Sequence, residues 1–525
     1  MLTLATFIGF TAFVVIYTWY KLRNEHLGSS EGYFLGGHSL TGVIIAGSML
    51  LTNISTEHLI GMNGSAYKNG IIIIAWEVTS ALALVIAAIY FIPRYLRMGL
   101  TTIPEFLEKR FDRTTRSLVA FFLVVSFVVT LLPIVLYTGA INMENIFDIS
   151  GALGVSKSQG LWITVVMIGV IGSVYAIFGG LKAVAVSDTI NGYGLLIGGL
   201  LIPFLALWSI GDGNILTGLV KVYDYAPAKF NIIGAEDSVM PFSVLFTGLI
   251  INQLYFWGMN QTIVQRALGA KNLKEAQKGL LYTGVLKILV PLIIVLPGLI
   301  SFYYFGDSMY ENQDHIYPAL VKKVLPVWMT GFFVAVVMGA VLSTFNSVLN
   351  SAATIFSIDV YKRLINKGAD EHKQVRTGRI TSVVLAVFAI LSAPLVADAP
   401  EGLYQLLQQL NGIFFIPVAS IMLAGFFLKK ISAVAAKAAL FFGLAFYIIT
   451  GFMLNVELHF IHLWGIEFVL NMILMFVVSY FYPRKAVTDD NRVVLMDMQA
   501  WKYTPHLSVF LVFMTVMIYI LLGNT

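Results

Sequence analysis

The segment LLTNISTEHLIGMNG, residues 50–64, places a cluster of polar residues inside a stretch that is otherwise apolar enough to cross a membrane. A second segment, INQLYFWGMNQ at residues 251–261, has the same feature in the second half of the chain. Backbone that leaves the helix at membrane depth is tolerated only where it is buried in protein or lines a water-filled cavity. The two segments therefore predict two broken helices that border a polar cavity.

The composition of the whole chain indicates the same environment. Of its 525 residues, 58% are apolar or aromatic and 12% are charged, about half of the ~25% that is typical of soluble proteins. This excludes a cytosolic enzyme, a nucleic-acid-binding protein and a disordered scaffold, and the absence of cysteine excludes disulfides, thiolate catalysis and cysteine-ligated zinc. We therefore expect an integral membrane protein that lies in the lipid bilayer and is not an enzyme.

Membrane-crossing helices are predicted from apolar runs, because a helix needs about 20 such residues to span the hydrocarbon core. Runs bounded by charge, Pro, Gly or polar clusters predict fourteen spans. They lie at about 2–22, 41–63, 72–96, 117–146, 159–178, 183–209, 238–258, 280–305, 325–356, 378–396, 402–427, 432–453, 457–482 and 505–522.

The basic residues predict the orientation, since Lys and Arg are enriched in cytoplasmic loops. With the loop after the first helix in the cytoplasm, 26 of the 33 Lys and Arg residues fall on that side, six fall on the other and Lys287 lies inside a helix. We therefore expect both termini to be extracytoplasmic.

Each broken helix opens a set of five helices, and paired broken helices at corresponding positions indicate an inverted-repeat transporter with its site at the bilayer midplane. The predicted fold is all-α with a core of five plus five helices. The predicted parts are an N-terminal extra helix and loop (1–40), a first repeat (41–209), an extracytoplasmic loop (210–237), a second repeat (238–427) and C-terminal extra helices (428–525).

Five of the ionisable residues within the predicted spans are candidates for a functional role: Glu57, His58, Glu77, Asp188 and Lys287. Each charge costs about 2.5 to 3.5 kcal/mol at a helix centre, so a functional role with a partner is the default interpretation. Two carboxylates and a lysine could surround a hydrated cavity and bind a polar solute. The alternative is a Glu/Lys pair that only holds helices together, and Glu57 could instead cap exposed N–H groups at the break.

Hydroxyl groups at Ser343 and Thr344 are candidates for a sodium site, because they could face backbone carbonyls of the first broken helix at Leu51 and Ile54. The alternative is that they bond their own helix, as Ser and Thr in membrane helices usually do. The aromatic residues at positions 255–257 could stack against a solute or gate it, or could simply pack.

In these residues the chain resembles the sodium/solute symporter family, which includes bacterial and animal sodium/glucose transporters, and it is especially similar to a bacterial branch of uncharacterised symporters. The resemblance covers nearly the whole chain. It is carried by residues 53–62, 76–77, 102–106, 179–181 with Asp188, 255–266, Lys287 with 297–298, and 349–361.

The resemblance implies a core of the leucine-transporter type, a bacterial inner-membrane location and sodium as the coupled ion. It assigns the main sodium site to carbonyls of Leu51, Ile54 and Ala340 and hydroxyls of Ser343 and Thr344, with Asp188 as a second sodium site or the ion's exit. It implies solute contacts at Asn53, His58, Glu77, Ser80, Gln253, Lys287 and Gln408. It implies an outer gate at Met62 and Tyr404, and an inner gate at Phe256 beside Tyr255 and Trp257.

Three positions depart from the bacterial sugar-transporter pattern: this chain has His58 where the pattern has Gln, Gln253 where it has Asn and Phe256 where it has Tyr. His also occurs at the first position in animal sugar transporters, so these changes leave a sugar or polyol as the expected solute. We therefore expect a sodium-driven symporter for a sugar-like solute that works by alternating access. The alternatives are a sodium symporter for another solute, such as sialic acid, inositol, an amino acid or a carboxylate, and a non-transporting sensor.

Overall fold

The computed structural model describes residues 2–23, 27–308, 313, 315–396, 403–454, 456–484 and 496–523. Both chain ends and residue 402, the predicted start of one span, lie outside these ranges. Within them the chain is helical apart from loops, turns and one isolated β-bridge between Leu40 and Ala270. The predicted all-helical class is confirmed.

The main helices of the first half are numbered in chain order. They are α1 (Leu2–Leu22), α2 (Gly42–Asn53), α3 (Glu57–Asn69), α4 (Ile71–Met98), α5 (Ile103–Arg110), α6 (Arg113–Glu144), α7 (Lys157–Ile210) and α8 (Ile215–Tyr225). The long helix α7 changes direction at Gly180, whose φ of 56° is a backbone conformation that glycine adopts without strain.

The second half continues the numbering. Its main helices are α9 (Gly248–Gly258), α10 (Gln261–Leu268), α11 (Leu273–Phe305), α12 (Ile316–Val324), α13 (Trp328–Ile365), α14 (Glu371–Val396), α15 (Tyr404–Phe427), α16 (Ala433–Met453), α17 (Phe460–Phe481) and α18 (Thr504–Leu522).

The first predicted break is confirmed. Helix α2 ends at Asn53, the backbone is extended at Ile54, and α3 continues at an angle of 64° to α2. Because the last carbonyls of a helix have no amide partner further along it, this break leaves backbone oxygen atoms available at the end of α2.

The second predicted break is also confirmed. Helix α9 ends at Gly258, and the Asn260 side chain caps α10 by accepting a hydrogen bond from the Thr262 N–H group at 3.0 Å. The break divides the region into helices of 11 and 8 residues.

Twelve helices in the described ranges are long and apolar enough to cross a membrane, or thirteen if the bent pair α2–α3 is one span. The predicted span at 238–258 is not among these helices. Residues 242–246 form a 3-10 turn, and only the remainder forms the short helix α9. The number of fourteen spans and the five-plus-five repeat stay predictions.

Helix α13 lies at the centre of the molecule. In the most apolar 18-residue stretch of α13, 94% of the residues are buried. The corresponding share is 11% for α1 and 17% for α18. Helices α1, α2 and α7 pack against α13, and α11 packs against α2. Large apolar side chains such as Trp19, Phe178 and Tyr480 are exposed on the periphery, as expected of a surface that faces lipid.

Candidate functional site

One cavity lies between the two broken helices and is bordered by α4, α11, α13 and α15. Its wall combines charged, amide and imidazole groups with aromatic rings, so it can hydrogen-bond a polar solute and pack against its apolar faces. Ten of the predicted residues line it: Asn53, His58, Glu77, Gln253, Phe256, Trp257, Lys287, Thr344, Tyr404 and Gln408.

Glu77 and Lys287 form an ion pair between α4 and α11. The Lys287 ammonium group donates to the Glu77 carboxylate and, at 2.6 Å, to Asn53 Oδ1, and it lies 5.4 Å from the centroid of the Trp257 ring. Each member of the pair is 1% exposed. Their opposite charges offset each other's desolvation cost. The pair presents a carboxylate acceptor and an ammonium donor at one place in the cavity.

Gln253 connects α9 to α4 and orients an aromatic ring. Its Nε2 atom donates to the Trp76 carbonyl at 2.7 Å and to Thr79 Oγ1 at 3.2 Å, while its Oε1 atom accepts from Trp257 Nε1 at 3.1 Å. Because protein groups already use both ends of this amide, Gln253 positions Trp257 in addition to lining the cavity.

Glu57 and His58 lie in the first turn of α3, next to the break. Glu57 is 4% exposed, and its Oε2 atom has no hydrogen-bond partner among the described residues. Its Oε1 atom lies 3.7 Å from His58 Nδ1, and the His58 ring packs edge-on against Tyr404 at 5.0 Å. Glu57 lines the cavity, so it adds a second carboxylate there.

The aromatic residues predicted as gates occupy different positions. Tyr404 lines the cavity, and its hydroxyl accepts a hydrogen bond from Gln408 at 2.8 Å. Phe256 and Trp257 also line it and pack edge-on against each other at 5.1 Å. Tyr255 is not part of the lining: it is fully buried, and its ring packs at 4.4 Å on Phe415, which does line the cavity.

Two further predicted residues do not line the cavity. Met62 is fully buried in the apolar core. Ser80 is 1% exposed, and its hydroxyl donates to the backbone carbonyl of Glu77 in the preceding turn. Ser80 therefore stabilises the backbone that carries Glu77.

Several polar residues line the cavity that the sequence analysis did not assign to it. Asn252 and Asn411 are each 5% exposed, and neither Oδ1 atom has a partner in the described part of the chain. Both are amides inside apolar runs, which is the signal that could have identified them. Thr52, Asn260 and Thr262, beside the two breaks, complete this set.

The predicted sodium ligands meet where α13 passes the end of α2. Thr344 Oγ1 donates to the carbonyls of Leu51 at 3.4 Å and Thr52 at 3.2 Å. Ser343 is 2% exposed, and its hydroxyl is unpaired within the described ranges. Carbonyls of a broken helix together with neutral hydroxyls form the oxygen-rich, low-charge environment that suits Na⁺, so these residues fit the ion.

Asp188 on α7 lies beside this region and is paired. It accepts a hydrogen bond from Ser48 at 2.7 Å and lies 3.4 Å from the Arg266 guanidinium, while its Oδ1 atom has no partner in the described ranges. Asp188 and Ser343 line a second, small cavity. Arg266, one of the basic residues counted on the cytoplasmic side, is fully buried, because α10 packs against α2 and α13.

The family model described as the sodium:solute symporter family matches residues 33–443 of this chain. The chain is 43% identical to an uncharacterised symporter, YidK, from Escherichia coli over 99% of its length and 90% of the relative's. It is 34% identical to the sodium/glucose cotransporter of Vibrio parahaemolyticus, covering 81% of this chain and 80% of the relative. It is 30% identical to the human sodium/myo-inositol cotransporter, covering 78% of this chain and 61% of the relative.

Two solved structures share the fold. A substrate-bound, outward-open Na⁺-coupled sialic acid symporter superimposes with a TM-score of 0.79 at 20% identity, covering 93% of this chain and 99% of that one. Mhp1, a nucleobase-cation-symport-1 family transporter in a closed conformation, gives a TM-score of 0.56 at 17% identity, with coverages of 87% and 97%. At these identities the likeness concerns the fold alone.

Proposed function

Because this chain belongs to the sodium:solute symporter family, with sodium as the coupled ion, we propose that it imports a sugar or a sugar-like polyol by alternating access. The observation that carries the proposal is the buried Glu77–Lys287 pair in a cavity lined by amides and aromatic rings. A sugar presents hydroxyls that donate and accept together with apolar ring faces, so it complements such a wall.

The charges in the cavity favour a neutral solute. Glu57 and Glu77 carry carboxylates, whereas Lys287 is the one Lys or Arg side chain in the described lining. A solute carboxylate would meet net repulsion at short range in a site of low dielectric constant. Glucose and myo-inositol, which name two of the relatives, are neutral polyols.

Sodium would act on the broken helix in this proposal. An ion held by Leu51, Ile54, Ala340, Ser343 and Thr344 would stabilise one shape of the α2–α3 break, and that break also positions Asn53 and His58 in the cavity. The two ligands then bind cooperatively because both favour the same conformation. With an inward-negative potential near 100 mV, each entering sodium ion contributes about 2.3 kcal/mol.

Thermal stabilisation of the purified protein by sugars, polyols, amino acids and carboxylates, with and without sodium, tests the proposal. We expect neutral polyols to stabilise the protein, and sodium to enhance the effect. Sodium-dependent stabilisation by another class of solute would identify the alternative symporter. Stabilisation by a ligand that is not taken up by proteoliposomes under a sodium gradient would identify a sensor.

We expect one sodium ion per solute. Asp188, the candidate for a second ion, already lies against the Arg266 guanidinium, which supplies its counter-charge. One turn beyond the main site the side chains are Asn346 and Ser347, so only one hydroxyl is present there. Initial uptake rates measured against sodium concentration should give a Hill coefficient close to one. A coefficient clearly above one would contradict this prediction.

For the orientation we propose a bacterial inner membrane with both termini outside the cytoplasm. An even number of spans returns the chain to its starting side, and the basic residues place the first loop in the cytoplasm. A reporter that is active only in the cytoplasm should be silent when fused after Thr525 and active when fused after Arg23. Activity after Thr525 would mean that one span has been miscounted.

A further inference from the structure

Helix α17 carries a carboxylate that the solute and sodium sites do not use. Glu467 is fully buried, and neither of its carboxylate oxygens has a hydrogen-bond partner in the described ranges. It lies two turns into a helix that is apolar enough to span the membrane. An ionised carboxylate in such surroundings is costly unless a cation or a full set of hydrogen bonds accompanies it.

The neighbouring helices supply no cation for it. Helix α17 packs mainly against α9, α15 and α16, and it touches α4 where Trp464 meets Trp76. On α9, α15, α16 and α17 the titratable groups besides Glu467 are Tyr255, Tyr404, Tyr447, Lys437, His462 and Tyr480. Lys437 is paired to Asp112 at 2.7 Å, and His462 is bonded to Ser243 and Thr247. On α4, Glu77 is paired to Lys287, while Tyr90, Arg94, Tyr95 and Arg97 lie near the opposite end of that helix from Trp76, where both arginines are exposed.

Other unsatisfied polar atoms surround Glu467. One turn further along α17, Asn471 is fully buried, donates to Ser420 Oγ at 3.4 Å and leaves its Oδ1 atom unpaired within the described ranges. The indole N–H of Trp464 and the hydroxyl of Tyr447 are likewise buried and lie beside each other. The cluster therefore places three unpaired acceptor oxygens, on Glu467 and Asn471, together with no cation among the described residues.

The side chains of Glu467 and Asn471 both approach α16 at Gly443. A Cβ atom at Gly443 would lie 2.7 Å from Glu467 Oε1 and 2.7 Å from Asn471 Nδ2, so both side chains reach the bare backbone of that helix. A single added proton would remove the buried charge of Glu467. The acid group would then be a donor as well as an acceptor.

We propose that Glu467 and Asn471 form a proton-binding site between α15, α16 and α17, in which Glu467 is a neutral acid in the folded protein. The proton comes from water when the site is assembled and returns to water when the chain unfolds. The site adjoins the solute cavity, since the Trp464 ring packs against Trp76, which lines the cavity, at 6.3 Å. The proton thus helps to hold the wall that carries Trp76.

Infrared spectroscopy of the purified protein tests the site directly. At neutral pH the wild-type protein should show the carbonyl stretch of a protonated carboxylic acid. This band should be missing from the spectrum of the Glu467→Gln variant. Because Gln is a neutral isostere that can also donate, E467Q should transport within about twofold of wild type. The matched control Glu457→Gln, an exposed carboxylate in the loop before the same helix, should leave the band in place.

Two further measurements extend the test, and the first of them does not require E467Q to fold. In Asn471→Leu the acid remains but loses its acceptor, so the carbonyl band should move to higher frequency. Above the ordinary pKa of Glu the unfolded chain loses this proton whereas the folded protein keeps it. The folding equilibrium of wild type relative to E467Q should therefore fall by about tenfold per pH unit over the pH range in which the folded protein keeps the proton. Absence of the band at neutral pH overturns the proposal, as does a carboxylate band at Glu467 that shifts with sodium.

Discussion

Replacing Glu77 by Gln is expected to lower the solute affinity by about tenfold or more while sodium alone still stabilises the protein. The amide keeps the shape of the side chain but halves its acceptor capacity, and it leaves the buried Lys287 ammonium without a counter-charge. A tenfold loss corresponds to about 1.4 kcal/mol, in the range of a hydrogen bond to a charged group. Solute-dependent thermal stabilisation or direct binding to the purified variant measures the effect.

A helix clamp would behave differently from a solute site. If the pair only holds α4 and α11 together, the variant should lose thermal stability in proportion to any loss of transport. Asp212→Asn provides the control, because it removes an exposed ion pair with Lys221 and should change neither binding nor stability. Wild-type solute affinity in a folded Glu77→Gln protein would refute the assignment.

Replacing Ser343 and Thr344 together by Ala is expected to abolish sodium-dependent uptake with normal membrane insertion. The double substitution removes two oxygen ligands where α13 passes the end of α2, and it changes little of the apolar packing. Sodium affinity, measured from sodium-induced thermal stabilisation, should fall by at least about tenfold, since each lost ligand removes an interaction comparable to a hydrogen bond.

Thr330→Ala is the matched control on the same helix. The Thr330 hydroxyl bonds the carbonyl of Pro326 at 3.2 Å and lies away from the break. Its removal should leave sodium affinity at the wild-type level. Unchanged sodium affinity in the Ser343/Thr344 double variant would exclude these hydroxyls as ligands.

The broken helices and most of the cavity could be predicted because they depend on residue type alone. A polar cluster in an apolar run has only one way to avoid lipid, which is to face the protein interior. Asn53, Glu77 and Lys287 therefore had to lie inside, and the structure brings them within hydrogen-bond distance of one another.

The rotation of each helix about its axis could not be predicted in the same way. Successive residues of a helix are about 100° apart, so Tyr255, Phe256 and Trp257 cannot all face one cavity, and a run that is apolar on every side does not specify which of them turns away. The structure shows that Tyr255 is the one of the three that does not line the cavity.

The buried positions of two charged residues could not be predicted for a related reason. A charge after a break looks like a loop residue, which is why the buried position of Arg266 was missed. Glu467 was overlooked because a single acid does not interrupt an apolar run of more than twenty residues. In both cases the environment is created by helices that are distant in sequence.

The Glu77–Lys287 pair also has a consequence for biosynthesis. The two residues are 210 positions apart, and a ribosome adds about 5 to 20 residues per second. The carboxylate therefore enters the membrane roughly 10 to 40 s before its counter-charge has been translated. During that interval α4 must be held by the insertion machinery or remain near water. Nascent chains arrested before Lys287 should accordingly be more readily extracted from the membrane, or degraded, than chains arrested a few helices later.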